Sequence, residues 1–410
     1  MRTTSNSMTG IKPILICLAI GVFAVGTEGF MIAGVLPEIA SELKVTEAVA
    51  GYLVTAFSLV YAIGSPVLTV ALARVQQRRL IGLAMLLFAL SNVLAAVAPT
   101  YGTLVLARVA LAASASIFMP AALNAAGQLV ALDMRGRALA LVNSGAAIAL
   151  MAGVPLGAMI GQMAGWRFAF ALVAVVAGAA SLVLLSRLPE LTFEAAGTLG
   201  ERIKAIKYPE ISTSLLTTLF WAMGINALYT FVAVYLNQVA KIATAHLGIV
   251  LFGIGFASSI GAYLGGMATD RWEARRVRAA AIAAMACIYV IIALLGSADL
   301  RGPTSAVAVA ILMMICAGVA WIFYAAQQVR LLQLVLPAAG ATVVSLNASA
   351  MYLGFAGGAV AGAAMLQGAH LTGLAWISAA CELAGLCVLI VTAFPRSLGA
   401  GVVERTEGRA

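Results

Sequence analysis

Apolar residues fall in long unbroken blocks along this chain, separated by short polar connections. Twelve blocks stand out, near 14–36, 50–73, 80–98, 103–131, 138–162, 168–186, 211–236, 246–268, 279–296, 304–326, 341–366 and 373–393. A helix needs ~20 apolar residues to cross ~30 Å of hydrocarbon. Within that layer every backbone polar group must be paired inside its own segment, which favours helices. The pattern predicts an all-α polytopic membrane protein of twelve transmembrane helices. The longest polar break, 187–210, carries charges of both signs and a short amphipathic piece, LGERIKAIKYP, suited to the membrane surface. It divides the chain into an N-terminal six-helix bundle (1–186), a cytoplasmic central loop (187–210), a C-terminal six-helix bundle (211–393) and a cytoplasmic tail (394–410).

Composition agrees with the pattern. The 410 residues are 63% apolar and only 10% charged, against ~25% charged in soluble domains, which excludes a soluble globular enzyme. The net charge of +9 raises the question of nucleic acid, and the location of the charges answers it. With the N-terminus inside, nineteen of the 24 Lys and Arg fall in the termini and even-numbered connections. Lys44, Arg167, Lys241 and Arg301 fall in the others, and Arg108 lies within a block. That bias is the positive-inside pattern of a multi-pass protein with both termini cytoplasmic. The partner of the basic residues is then the anionic surface of the lipid bilayer, with no need for nucleic acid. The first apolar block is too long for a cleaved signal peptide and reads as an uncleaved first helix. Five cysteines, all in apolar blocks, show neither disulfide nor metal spacing and read as packing residues.

The two halves repeat. GSPVLTVALARVQQRR (64–79) matches GAYLGGMATDRWEARR (261–276), pairing Gly64 with Gly261 and Arg74 with Arg271 at an offset of 197. Gly153, Gly157 and Gly161 in the fifth block match Gly354, Gly358 and Gly362 in the eleventh at an offset of 201. Parallel halves around a central site are a known transporter plan. In the fifth block Gly145, Ala149, Gly153, Gly157, Gly161 and Gly165 recur every four residues, making one small-residue helix face for close packing. Pro155 inside that stripe loosens the helix locally. Gly153, Pro155 and Gly157 are candidates for a rocking seam that gates the protein.

These residues carry a resemblance. GVPLG (153–157) followed by GWR (165–167), and LARVALAASASIF (106–118), resemble the fifth- and fourth-helix motifs of drug:proton antiporters of the major facilitator superfamily. TEGFMIAGVLPEIASEL (27–43) is similar to the start of bacterial sugar-efflux, nucleoside-efflux and chloramphenicol-exporter relatives. The resemblance implies two pseudo-symmetric six-helix bundles, a monomer, and the bacterial plasma membrane. It departs from the family in the loop after the second helix, where Thr69 and Ala73 stand in place of Gly and Asp; Arg74 is kept. The second copy keeps Asp270, so Arg74 and Asp270 are candidates for cytoplasmic gating, with Asp270 doing more of it.

Charges inside the blocks are the candidates for chemistry, because an acid at mid-membrane costs at least ~2.5–3.5 kcal/mol. Glu28 either carries a proton or pairs silently with a cation. Helical rise places Glu28 and Arg108 within ~5 Å of one another in depth, and the resemblance puts the first and fourth helices around one central cavity. Opposite charges there form either a static pair or a switch, since burial and a neighbouring guanidinium act on a carboxyl in opposite senses. Glu28 and Arg108 are therefore the candidate proton-coupling residues. Glu382, in a block that the resemblance makes peripheral, reads as a satisfied structural acid. His246 and His370 read as exposed groups at helix ends. Asn226 and Tyr229, and likewise Trp321 and Tyr324, lie three apart on single helices and are candidates for binding a small-molecule substrate.

No phosphate-binding Gly-x-x-x-x-Gly-Lys loop, metal-ligand cluster or Ser/His/Asp set is present, so no ATP engine, cofactor or enzyme activity is expected. The reading is a secondary active exporter working by alternating access, with protons as the second partner. Scarce polar groups favour a small amphiphilic drug or metabolite, with sugar or nucleoside efflux as the alternative. A passive channel or a membrane-embedded enzyme is the reading from a different class.

Overall fold

In a computed structural model the described residues are 8–72, 75–191, 199–297, 303–335, 339–368 and 370–391. Among them twelve helices are long and apolar enough to span a membrane: α1 (Ile11–Glu42), α2 (Glu47–Ala71), α3 (Gln77–Ala96), α4 (Tyr101–Gln128), α5 (Leu132–Ala164), α6 (Trp166–Arg187), α7 (Pro209–Tyr229), α8 (Thr244–Arg271), α9 (Ala274–Ser297), α10 (Thr304–Gln333), α11 (Thr342–Gln367) and α12 (Gly373–Val391). Local chemistry sets their ends. Thr46 caps α2 by accepting from the Val49 N–H, and Thr100 and Thr103 form a reciprocal capping box at α4. Gly165, at φ +97, makes the turn between α5 and α6 that other residues rarely adopt. The neighbouring Trp166 and Arg167 both bind the Glu42 carboxylate, and Arg167 donates to the Ala98 carbonyl, so this corner ties α6 to the ends of α1 and α3.

Two of these helices differ from the hydrophobic pattern. The block read as 211–236 breaks at Thr230 and Phe231 and resumes as a short helix, Val232–Gln238. The Phe231 ring sits where side chains of Gly51 and Gly362 would otherwise stand, wedged between α2 and α11. In α5 the run Arg135–Ile148 passes through a π turn, Ala149–Gly153, before Val154–Ala164 resumes. Pro155 lacks the N–H of a regular ladder, and a π turn is one way a helix accommodates that loss.

The duplication is visible in the backbone. Lys44 and Lys241, 197 positions apart, are the two non-glycine residues with positive φ, at 54° and 57° among the described residues. The glycine stripes repeat as well. Gly145, Gly153, Gly157 and Gly161 of α5 lie against Ala19, Thr27, Met31 and Val35 of α1, while Gly354, Gly358 and Gly362 of α11 lie against α7. Each stripe therefore closes its own half. The boundary between halves is made by α2 against α11 and by α5 against α8.

The contacts across that boundary run from the end of the bundle bearing Glu47 to its middle. Gln238 bonds Glu47, Gln367 bonds Tyr52, Leu251 reaches Gly34, and Gly255 faces the Leu150 carbonyl. At this end Ala33, Leu36 and Ala40 of α1 join the apolar core of the second half. Past its midpoint α8 turns to its own half, with Gly261 and Gly265 against Gly318 and Ile322 of α10. The arginine-rich end is bridged by the short helix Leu199–Ile206, which touches α2 and α11.

Candidate functional site

The first and fourth helices bring the two sequence-identified charges together. Glu28 of α1 and Arg108 of α4 form an ion pair, and both side chains are 0% exposed. Arg108 is held from a third helix too. Its Nε donates to the Leu53 carbonyl of α2 at 3.3 Å, and its guanidinium carbon lies 4.4 Å from the centroid of the Phe57 ring. This pair keeps unused capacity: Glu28 Oε2, Arg108 Nη2 and the nearby Thr27 Oγ1 have no hydrogen-bond partner among the described residues. A buried polar network left partly open is costly unless another group completes it.

Beside the pair, Gly29 and Phe30 enter the wall of a small cavity that both halves line. Phe57 and Ser58 line it from α2, Asn226 and Tyr229 from α7, and Tyr352 and Phe355 from α11. The Phe30 ring stands edge-on to Tyr229 and Phe355, each at 6.1 Å. Tyr61 and Tyr352 stack at 3.8 Å across the boundary between halves. Phe57 forms both the cavity wall and the cover of the Arg108 guanidinium, so the ion pair and the cavity share one side chain.

Of the residues proposed for substrate contact, Asn226 and Tyr229 are in the lining. The Asn226 amide nitrogen is committed to the Phe355 carbonyl at 2.8 Å, which leaves its oxygen for a ligand. Trp321 and Tyr324 lie outside the lining. They meet edge-to-face at 5.4 Å, and Tyr324 also stacks on Trp221 in an aromatic group of α7 and α10. Sequence reasoning missed Phe30, Phe57, Tyr61, Tyr352 and Phe355. The signal was available in part: Phe57 and Tyr61 are four apart, Tyr352 and Phe355 three apart, on α2 and α11. What the pattern does not show is that α2 and α11 pack together.

The gating candidates scatter. Gly153 and Gly157 face α1, as described above, and Pro155 follows the π turn. Asp270 is exposed one residue from the end of α8 and forms no ion pair among the described residues. Arg74 lies outside the described residues. His246 and His370 are exposed, as expected.

Glu382 requires a correction. The sequence reading made it a satisfied structural acid, yet the side chain is 0% exposed and neither carboxyl oxygen has a hydrogen-bond partner among the described residues. Its Oε1 occupies the space a side chain at Gly224 of α7 would fill. Helix periodicity located the burial correctly. It carried no information about which groups α7 and α9 would present to the carboxyl. The cysteines divide similarly: Cys17, Cys316 and Cys381 are buried, while Cys287 and Cys387 are exposed on the bundle surface.

Comparison with known proteins places this architecture. The sequence profile of the Major Facilitator Superfamily matches residues 18–359. An uncharacterized MFS-type transporter of Bacillus subtilis, YbcL, is 33% identical over 362 residues, covering 88% of this chain and 91% of that protein. A chloramphenicol resistance protein of Streptomyces lividans is 36% identical over 267 residues, covering 64% and 68%. The crystal structure of a D-xylose-proton symporter superposes with a TM-score of 0.75 at 15% identity, covering 92% of this chain and 97% of that one. Twelve spanning helices in two repeated bundles, a charged pair beside a shared cavity and a profile match along most of the sequence agree: the chain belongs to the Major Facilitator Superfamily of membrane transporters.

Proposed function

We propose that this transporter exports a small aromatic amphiphile from a bacterial cell in exchange for protons, with both termini cytoplasmic. The observation that carries the reading is the Glu28–Arg108 pair, buried and incompletely bonded, sharing Phe57 with the cavity. A ligand that displaces the Phe57 ring removes a favourable contact from the Arg108 guanidinium. The guanidinium then shifts relative to Glu28, and the balance between burial and ion pairing on that carboxyl changes. Proton uptake and substrate occupancy become alternatives at one site, as exchange requires.

The cavity walls favour an aromatic or other flat apolar ligand. Five aromatic rings surround it, and the polar groups are few: Ser58, Asn226, Tyr229, Thr230 and Tyr352. A sugar brings many hydroxyls, and each left unpaired costs ~1–3 kcal/mol. The name of the Streptomyces relative points the same way. In this reading the contacts at the Glu47 end form the closed outer gate. The π turn beside Gly153, Pro155 and Gly157 supplies the bend that opens it.

The test uses purified protein in vesicles with an imposed pH gradient and a panel of aromatic amphiphiles, chloramphenicol among them. Wild type moves one or more of them against a concentration gradient, and a protonophore stops it. Glu28→Gln is expected to lose gradient-driven transport while keeping substrate exchange at equal pH. Full gradient-driven transport by that variant would remove Glu28 from the mechanism.

A further inference from the structure

The arginine-rich end of the second half contains a guanidinium that the transport mechanism does not use. Three arginines open α9. Arg276 is exposed and pairs with Glu273 at 3.5 Å, and Arg275 is exposed. Arg278 is different. It lies on the inward face of α9 with Ala274, Ala281 and Met285, and it is 3% exposed. Its Nε is wholly enclosed and without a partner, and the side chain makes no hydrogen bond or ion pair among the described residues. The charges that act on it are Arg330, in the last turn of α10, and Arg275; both are positive. A buried cation is normally paired, and unpaired like charges drawn together repel. Among the described residues no anion pairs with Arg278.

We propose that Arg278, with Arg330 and Arg275 beside it, forms a binding site for a phosphate oxyanion, presented by an anionic phospholipid headgroup or as free phosphate. A guanidinium binds phosphate oxygens through paired N–H donors. The N-terminal end of α9 adds the positive end of the helix dipole. The site lies between the start of α9 and the last turn of α10, at the basic end of the bundle where acidic headgroups are attracted. It does not belong to the repeated frame. At the offset of 197, the counterpart of Arg278 is Ile81, which is fully buried in the first half.

The experiment follows the thermal unfolding midpoint of the full-length purified protein in detergent during titration with phosphatidylglycerol, phosphatidylcholine or inorganic phosphate. Phosphatidylglycerol is expected to raise the midpoint of wild type and of Arg276→Gln alike. In Arg278→Gln the half-saturating concentration rises about tenfold, the loss expected for one charge-assisted contact. Arg330→Gln is expected to weaken it in the same direction, and it carries the test if the first variant does not fold. An equal, Arg278-dependent response to inorganic phosphate assigns the site to the free anion; a response to phosphatidylglycerol alone assigns it to lipid. Equal loss in Arg276→Gln and Arg278→Gln reduces the effect to general surface charge and overturns the proposal. So does the absence of any shift. A response that emerges only after residues 392–410 are deleted also overturns it, because Glu404 or Glu407 of the tail then fills the role.

Discussion

Each half of the molecule buries one acid in a membrane helix, and the two meet different surroundings. Glu28 of the first half has a cation, a shared aromatic neighbour and a cavity beside it. Glu382 of the second half has no ion-pair partner among the described residues and is not in the lining of that cavity. It sits against Gly224 with both oxygens unpartnered among the described residues. The backbone frames of the halves match closely, down to the positive-φ lysines and the glycine stripes. Duplication has preserved the scaffold while the chemistry diverged. Burial alone therefore does not distinguish the two acids; the groups that each one meets do.

The comparison breaks most visibly if the charges are separated. Arg108→Ala leaves Glu28 alone in the core and is expected to destabilise the protein by ~3–5 kcal/mol, with transport lost. Thermal unfolding of the single variants and of Glu28→Gln/Arg108→Gln gives the coupling between the two. The double variant, whose polar groups remain matched, is expected to recover much of the stability lost in Arg108→Ala. If all variants unfold alike, the pair contributes no specific interaction and the contrast with Glu382 fails.

The glycine stripes provide a test between halves. At Gly358 an added Cβ would lie 2.4 Å from the Met223 carbonyl oxygen and 2.8 Å from the Ala227 nitrogen, both backbone atoms. At its counterpart Gly157 the nearest atoms, at 3.0 and 3.1 Å, belong to the Met31 side chain. A methionine chain can yield where backbone cannot. Gly358→Ala is expected to cost ~1–3 kcal/mol by overpacking, and Gly157→Ala clearly less, as read by unfolding midpoints. Equal losses would mean that both stripes are equally rigid.

Glu382 gives the opposite sign. Glu382→Met removes an unpartnered carboxyl while keeping most of the volume. It is expected to leave transport intact and to stabilise the fold by up to ~1–3 kcal/mol, the usual penalty of an unsatisfied buried group. A loss of pH-driven transport in Glu382→Met would make the second acid a working partner of the first.

Sequence made the architecture legible because membrane helices are encoded by length and polarity alone, and both are local properties. It also placed Glu28 and Arg108 at one depth, since rise per residue is fixed. The cavity walls were harder to read. Phe57 and Tyr352 look like ordinary apolar positions until α2 and α11 are packed together. Trp321 and Tyr324 share a helix face as expected, and Tyr324 stacks on Trp221, but neither is in the cavity lining. Glu382 shows the same limit, because nothing in α12 itself says what α7 and α9 present to it.

The smallest effect tests the frame that the two halves share. Lys44 and Lys241 hold left-handed backbone immediately after the first helical hairpin element of each half, at φ 54° and 57°. A side chain there carries steric strain that glycine lacks, although glycine loses more chain entropy on folding. The two terms nearly offset, so Lys44→Gly and Lys241→Gly are each expected to change stability by less than ~1 kcal/mol in the stabilising direction. The informative quantity is their similarity. If one variant gains and the other loses, as judged by paired unfolding midpoints, the two turns carry different loads, and the shared offset of 197 marks common descent without common mechanics.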